Sequence, residues 1–203
     1  MRPFPPFAQP LLLSMLVASA CQVMAAERYD LERNPAPAPA SLSTQTASHA
    51  MLGLQASELR ELRQQKYANG KLVTRYQQMH QGIPIWGEAI TRHAQGNGLG
   101  NGLSSNPAQF TGALLRQLSQ DLPSVTPAYS TSQIVQLAKT RARVNGPTSN
   151  EQAQLYVRMD EQQVARLVYV VSFLTAVPGS QTPTRPFFMI DANTGVVLDQ
   201  AEG

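Results

Sequence analysis

Three histidines, one cysteine and a scatter of carboxylates are the residues of this chain that can do chemistry. The histidines are His49, His80 and His93, and the cysteine is Cys21. A zinc site needs three or four ligands brought together. None of the histidines pairs as H-E-x-x-H and none stands near the cysteine, so exposed strand-end histidines are the expected reading. Glu58 and Glu61 are spaced for one helix face, where paired carboxylates can move protons. They stand among Arg60 and Arg63, and a solvated face is the simpler expectation. Asp191 and Asp199 flank the last turn, either as a calcium pair or with Asp191 holding the turn through its own carboxylate. No G-x-S-x-G nucleophile elbow is present. The glycine-rich stretch from Gln95 to Pro107 has neither G-x-G-x-x-G nor a Gly-Lys-Ser/Thr ending. The sequence therefore offers no catalytic residue, no metal site and no cofactor.

The 203 residues allow one large domain or two small ones, with 42% hydrophobic and 14% charged residues. About 25% charged is usual, and an uncharged leader and linker account for part of the deficit. A net charge of +3 is weak and dispersed, with no basic block for nucleic acid. Arg2 precedes the apolar run Leu11 to Ala18, and Val23-Met24-Ala25 and Met24-Ala25-Ala26 offer small-residue cleavage patterns. This is a secretory signal peptide over residues 1–26, cut near Ala25 or Ala26, and too short to span a membrane. Ala18-Ser19-Ala20-Cys21 leaves a second reading open, in which Cys21 is lipidated and the chain is a membrane-anchored lipoprotein. Otherwise Cys21 is discarded, and the mature chain is periplasmic or secreted, without a membrane partner.

The elements follow from pattern. Residues 27–46 read as a disordered linker rich in Pro, Ala, Ser and Thr. Leu52, Leu59 and Leu62 suggest a short amphipathic helix between Ala50 and Gln64. Asn69-Gly70 is a hairpin signal, with one strand ending near Tyr67 and the next running from Lys71 to His80. Gln81-Gly82 turns the chain into a third strand from Ile83 to Thr91, with Pro84 at its edge. Phe110 to Leu115 returns as a fourth strand, which makes a β-meander. "DLPSVTP" marks a boundary near Pro123 to Pro127. Ser130-Thr131-Ser132-Gln133 is a capping box opening a helix with Ile134, Leu137 and Ala138 on its apolar stripe, stopped at Asn145-Gly146-Pro147. Gln154 to Met159 is a short strand. Leu167 to Leu174 is apolar throughout and reads as a central strand buried on both faces. Pro186 to Asp191 and Val196 to Asp199 close the chain as a hairpin. The fold class is α+β, with two small units, each an antiparallel sheet with one or more helices packed on it.

Two segments carry a resemblance. "NGKLVTRYQQMHQGIPIWGEAI", with Arg75-Tyr76-Gln77-Gln78, Gly82 and Ile83-Pro84-Ile85-Trp86-Gly87, resembles the fungalysin/thermolysin propeptide (FTP) module. "RLVYVVSFL" followed by "RPFFMIDANTGVVLDQAEG" resembles a PepSY-type domain. The two modules stand in this order, at residues 47–122 and 128–203. They are similar to the prosegments of secreted thermolysin-family zinc metalloproteases, the elastase-type (pseudolysin-like) ones above all.

The resemblance implies a non-enzyme that binds an elastase-type, thermolysin-like zinc metalloprotease as a folding chaperone and tight inhibitor. It implies partner-binding residues at Arg75, Tyr76, Trp86, Glu88, Asp199, Glu202 and Gly203. Trp86 has two readings, interface anchor or core. A prosegment's end runs toward the protease cleft, so the tail Asp199 to Gly203 can enter as a plug with a carboxylate near the metal, or the sheet surface can block the cleft alone. A precursor would continue into a catalytic domain, and the leader at one end and Gly203 at the other favour a free-standing protein acting in trans. The competing reading is a periplasmic or surface PepSY-type binding module with no protease partner.

Overall fold

The computed structural model describes residues 25–35, 49–95, 109–144, 146–176 and 183–202. The leader with Cys21, most of the Pro/Ala/Ser linker, the glycine-rich stretch, Asn145 and Gly203 lie outside the described residues.

Two antiparallel sheets make the fold. The first contains β1 (Glu27–Asp30), β2 (Leu59–Lys66), β3 (Lys71–His80), β4 (Ile83–Pro84), β5 (Ile90–Gln95) and β6 (Gln109–Arg116). Its order is β1-β6-β5-β3-β2, with β4 paired to β3 off that path. The second contains β7 (Thr148–Met159), β8 (Ala165–Thr175), β9 (Phe187–Asp191) and β10 (Val197–Ala201), in the order β10-β9-β8-β7. Between them lie α1 (Leu118–Asp121) and α2 (Thr131–Arg141). The α+β class with two antiparallel units stands.

Local signals set much of this. Gly70 at φ 81° turns β2 into β3, and Gln81 (φ 47°) and Gly82 (φ 85°) make the second turn, the paired positive angles that match the twist of a hairpin. α2 opens with both bonds of its capping box: the Gln133 amide donates to Ser130 Oγ at 3.4 Å, and the Ser130 amide donates to Gln133 Oε1 at 2.8 Å. Its buried stripe is Ile134, Val135 and Ala138, with Leu137 half-buried. β8 is an inner strand, but it is buried throughout on one face only: Leu167, Tyr169, Val171 and Phe173 are buried there, whereas on the other face Val168 is buried, Val170 and Ser172 are half-buried and Arg166 is exposed.

Four expectations are corrected. Residues 50–64 are not one helix. Residues 49–52 make a helical turn, Ala56–Glu58 a 3-10 turn, and Leu59–Lys66 the strand β2. Pairing with β3 overrides helical spacing: Leu59 is buried, but Leu62 stays 50% exposed on an edge strand. The start of the presumed linker is structured, since Glu27–Asp30 pairs with β6 and Leu31 is buried beneath the sheet. The strand expected from Ile83 to Thr91 is broken. β4 ends at Pro84, Gly87 takes φ 85°, and pairing resumes at Ile90. His80 is buried, with Nε2 3.4 Å from the Leu122 carbonyl oxygen, rather than exposed at a strand end.

The break in the third strand leaves a gap. Tyr76 of β3 pairs with Ile90, and Ile90 pairs with Gly112 of β6. Past Ile90 no strand stands between β3 and β6. Gln78, 2% exposed, fills the space with its side chain. Its Nε2 donates to the Leu115 carbonyl at 2.7 Å, and its Oε1 accepts from the Leu115 amide at 2.8 Å. One side-chain amide thus replaces one residue of a missing strand and satisfies two buried backbone groups.

The departing chain reaches the other sheet. The Ile85 amide donates to the Gln78 carbonyl at 3.0 Å, and the Ile85 carbonyl accepts from Gln77 Nε2 at 2.6 Å. Ile85 then bridges Val157 of β7, and the Trp86 amide donates to the Val157 carbonyl at 2.7 Å. The larger core therefore joins Ile85, Leu115, Leu118 and Leu122 to α2 and to the inner face of the second sheet. A smaller core, with Leu31, Leu52, Tyr76, Ile90 and Leu114, lies within the first unit.

Replacing Gln78 with Leu keeps the bulk and orphans the Leu115 amide and carbonyl. Stranding buried donors and acceptors costs about 1–3 kcal/mol each. Urea unfolding of Gln78→Leu is expected to show a loss of about 2–4 kcal/mol, with the slope unchanged.

Candidate partner-binding surface

The register of the second sheet sorts its side chains. Gln154, Tyr156 and Arg158 of β7 share a face with Arg166, Val168, Val170 and Ser172 of β8 and with Phe187 and Met189 of β9. Asp199 pairs with Met189 and continues that face onto β10. The opposite face holds Val157, Leu167, Tyr169, Val171 and Phe173, where α1 and α2 pack. The described helices thus cover one face and leave the other open.

Trp86 lies over the open face. Its ring meets Tyr156 edge-on at 4.9 Å between centroids and lies 6.1 Å from Phe187. All three rings are half-buried. Aromatic pairs at such separations add about 0.5–1.5 kcal/mol beyond area burial. The Tyr156 hydroxyl donates to Gln154 Oε1 at 2.9 Å, and Arg158 Nη1 donates to Met189 Sδ at 2.9 Å. Arg185 Nη1 reaches Ser172 Oγ at 3.2 Å. The face carries aromatic rings and guanidinium groups, the residue types enriched at binding hot spots.

A cleft of about 210 Å³ opens on the same side, lined by Arg158, Asp160, Arg166, Val168 and Leu198. Arg166 Nε donates to Asp160 Oδ2 at 2.5 Å. Burial works against the Asp160 charge, but the bonds from Arg166 and from the Val164 and Gln162 amides outweigh it. Its carboxyl therefore stays below the usual carboxylate value.

The residues singled out from sequence separate in space. Trp86 and Asp199 belong to the open face of the second sheet, Asp199 exposed. Trp86 is neither pure core nor a free anchor, because its amide and ring fasten the first unit to β7. Arg75 is exposed on β3 of the other sheet. Tyr76 is buried in the smaller core, so it supports that sheet from beneath and presents no contact surface. Glu88 is engaged by Arg28, whose Nε donates to its Oε1 at 2.6 Å, and this bond raises the Arg28 pKa. Glu202 is exposed beyond β10 and lines a cleft of about 810 Å³ with Arg141, Arg143, Pro186, Phe188 and Gln200. Gly203 and Cys21 lie outside the described residues.

Sequence reasoning missed Tyr156, Arg158 and Phe187. Tyr156 and Arg158 alternate with Leu155, Val157 and Met159, a period-2 pattern that marks the second face of a strand. Asp191 is a turn residue: its Oδ1 accepts from the Asn193 and Thr194 amides at 2.9 and 2.8 Å. Among the described residues no three His, Cys, Asp or Glu side chains gather as a metal-ligand set, and no helix is long and apolar enough to cross a membrane.

Residues 57–103 match the Fungalysin/Thermolysin Propeptide Motif, a propeptide motif and not a catalytic domain. The chain is 41% identical over 140 residues to the Hemagglutinin/proteinase of Vibrio cholerae, covering 66% of this chain and 21% of that protein. It is 38% identical over 143 residues to the Virulence metalloprotease of Vibrio anguillarum, covering 66% of this chain and 22% of the relative. It is 30% identical over 198 residues to the Neutral protease of Vibrio proteolyticus, covering 95% of this chain and 30% of the relative. The chain thus spans between a fifth and a third of these proteases, and the motif supports a propeptide-like protein related to metalloproteases. Among solved structures, the Bacillus megaterium YpeB C-terminal domain aligns with 81% of this chain and 67% of its own, at 13% identity and a TM-score of 0.33, too low to carry an argument.

Trp86 is the only tryptophan of the chain, so its emission reports on this surface alone. Tyr156→Ala is expected to shift that emission to longer wavelength while the fold persists. Trp86→Ala, which removes the ring contacts between the units and keeps the amide bond to Val157, is expected to lower the melting temperature by about 4–8 °C, the equivalent of roughly 2 kcal/mol for a chain of this size.

Proposed function

We propose that the mature chain is a propeptide-like binding protein for the catalytic domain of a thermolysin-type, elastase-like zinc metalloprotease. It holds the native enzyme as an inhibitor and templates its folding. The observation that carries this reading is the helix-free face of the second sheet, with Trp86, Tyr156, Phe187 and Arg158 half-buried and held in place. The propeptide motif at residues 57–103 and the metalloprotease relatives support a protease as the class of partner. The leader pattern adds that the two meet after export.

The physical logic joins the two roles. A rigid face complementary to the native catalytic domain stabilises whatever part of it has already formed in the folding transition state, and so speeds folding. The same face remains bound to the product, and inhibition is the consequence. Rigidity is what makes such a template effective, because no ordering entropy has to be spent on docking. The bond from the Trp86 amide to the Val157 carbonyl, the shared core and the capped helix supply that rigidity.

Purified mature chain is expected to inhibit peptide hydrolysis by a thermolysin-type catalytic domain in a dose-dependent way, and to raise the yield of active enzyme on refolding. Tyr156→Ala combined with Arg158→Ala is expected to weaken inhibition at least about tenfold, the effect of losing a hot-spot contact. The melting temperature is expected to fall by about 4–8 °C or less, because the Trp86 amide bond and the shared core remain, and inhibition is compared at a temperature where both chains are folded. Full inhibition by the double variant would remove the open face from the interface. No inhibition by the parent chain at micromolar concentration would remove the protease partner.

A further inference from the structure

Ala26 is an unusual place for a chain to be buried. It is 4% exposed and belongs to the larger core with Ile85, Leu115, Leu118 and Leu122. Ala25, one residue earlier, is exposed. The Ala26 nitrogen stands 3.3 Å from Asp121 Oδ2. The same oxygen accepts from the Ala165 amide at 2.7 Å, at the first residue of β8. Asp121 thus ties the chain just before β1 in the first sheet to a strand of the second. It is a half-buried carboxylate with two amide donors and, among the described residues, no cation.

The sequence places a leader-cleavage pattern at this point. Val23-Met24-Ala25 puts small or branched residues three and one positions before the Ala25–Ala26 bond, while Met24-Ala25-Ala26 would put the cut one bond later. The fold distinguishes them. A cut after Ala26 removes a buried methyl group and the donor on Asp121. A cut after Ala25 keeps both.

We propose that the Ala25–Ala26 bond is the processing site, and that the freed α-ammonium of Ala26 docks on Asp121 as an ion pair clamping the two sheets together. The covalent step is hydrolysis by an export-pathway endopeptidase that cuts after small residues. Water gives its hydroxyl to the Ala25 carbonyl carbon and a proton to the Ala26 nitrogen, which takes a second proton from solvent. An α-amino group has a pKa of about 7.7–8.0, so the product is cationic at neutral pH. A neutral amide donor becomes a charged one with three hydrogens, and charge-assisted bonds are shorter and roughly twice as strong. The folded chain is thereby completed by its own maturation.

The test begins with the full chain exported from a bacterial host. Intact mass and N-terminal sequencing are expected to show a chain beginning at Ala26. A chain beginning at Glu27, or one carrying lipid on Cys21, overturns the proposal. Mature chains beginning at Ala26 and at Ala25 are then compared by thermal melting. The longer one keeps the amide bond to Asp121 and moves the charge away. It is expected to melt about 3 °C or more below the Ala26 form, and the difference is expected to vanish in Asp121→Asn. Equal melting of the two forms, or an undiminished difference in Asp121→Asn, overturns the ion pair. Neither readout involves the metalloprotease partner, so the outcome is separate from the proposed function.

Discussion

The bond between Gln78 and Leu115 is the constraint on which the rest of the structure depends. An antiparallel sheet is ordinarily continuous, and a strand that leaves its middle strands backbone donors and acceptors on both neighbours. Here the chain between β4 and β5 must leave, because Ile85 and Trp86 are needed at β7. Gln78 makes that departure tolerable by offering both a donor and an acceptor at the height of the missing residue. Gly112 adds a second condition. It sits at φ 97°, and a Cβ there would lie 2.0 Å from the Ala89 carbonyl oxygen. β6 can approach the departing chain this closely only with glycine at that position.

From this exchange follows the shared core. Once Ile85 has crossed, it packs with Leu115 and Leu118 on one side and with Val157 on the other. The two sheets then share apolar side chains and do not hang as beads on a linker. Asp121 reinforces the same junction through Ala26 and Ala165. Two of the surfaces left outward are the far face of the second sheet and the edge strand β2. β2 carries Arg60, Glu61, Arg63 and Lys66 and is exposed along most of its length. Such charge protects an edge from pairing with other chains, and it gives the two outward surfaces different characters, charged at β2 and aromatic at Trp86.

Elements whose cause is local were legible in the sequence. The Asn69-Gly70 turn, the Ser130–Gln133 capping box, the apolar run of β8 and the closing hairpin around Asp191 each depend on a few adjacent residues. Elements whose cause is distant were not. "LRELRQQK" has a helical composition and becomes a strand because β3 lies beside it. Glu27–Asp30 looks like linker and is ordered by β6, some eighty residues later. The strand expected from Ile83 to Thr91 is cut because one part of it serves another sheet. The candidate surface shows the same division. Trp86 and Asp199 were marked by type and position, whereas Tyr156, Arg158 and Phe187 join them only through the register of three strands. Gln78 lay inside a recognised motif, but its role depended on a gap that only the fold creates.

The proposed function stands on the open face of the second sheet being the surface that meets a protease. Hydrogen–deuterium exchange of the mature chain, free and saturated with a thermolysin-type catalytic domain, tests this most directly. The predicted result is added protection on β7 and β9, around Tyr156, Arg158 and Phe187, and in the segment holding Trp86, with little change in α2 on the opposite face. Protection confined to the β2 edge or to α2, with β7 and β9 unchanged in a complex shown to have formed, would contradict it.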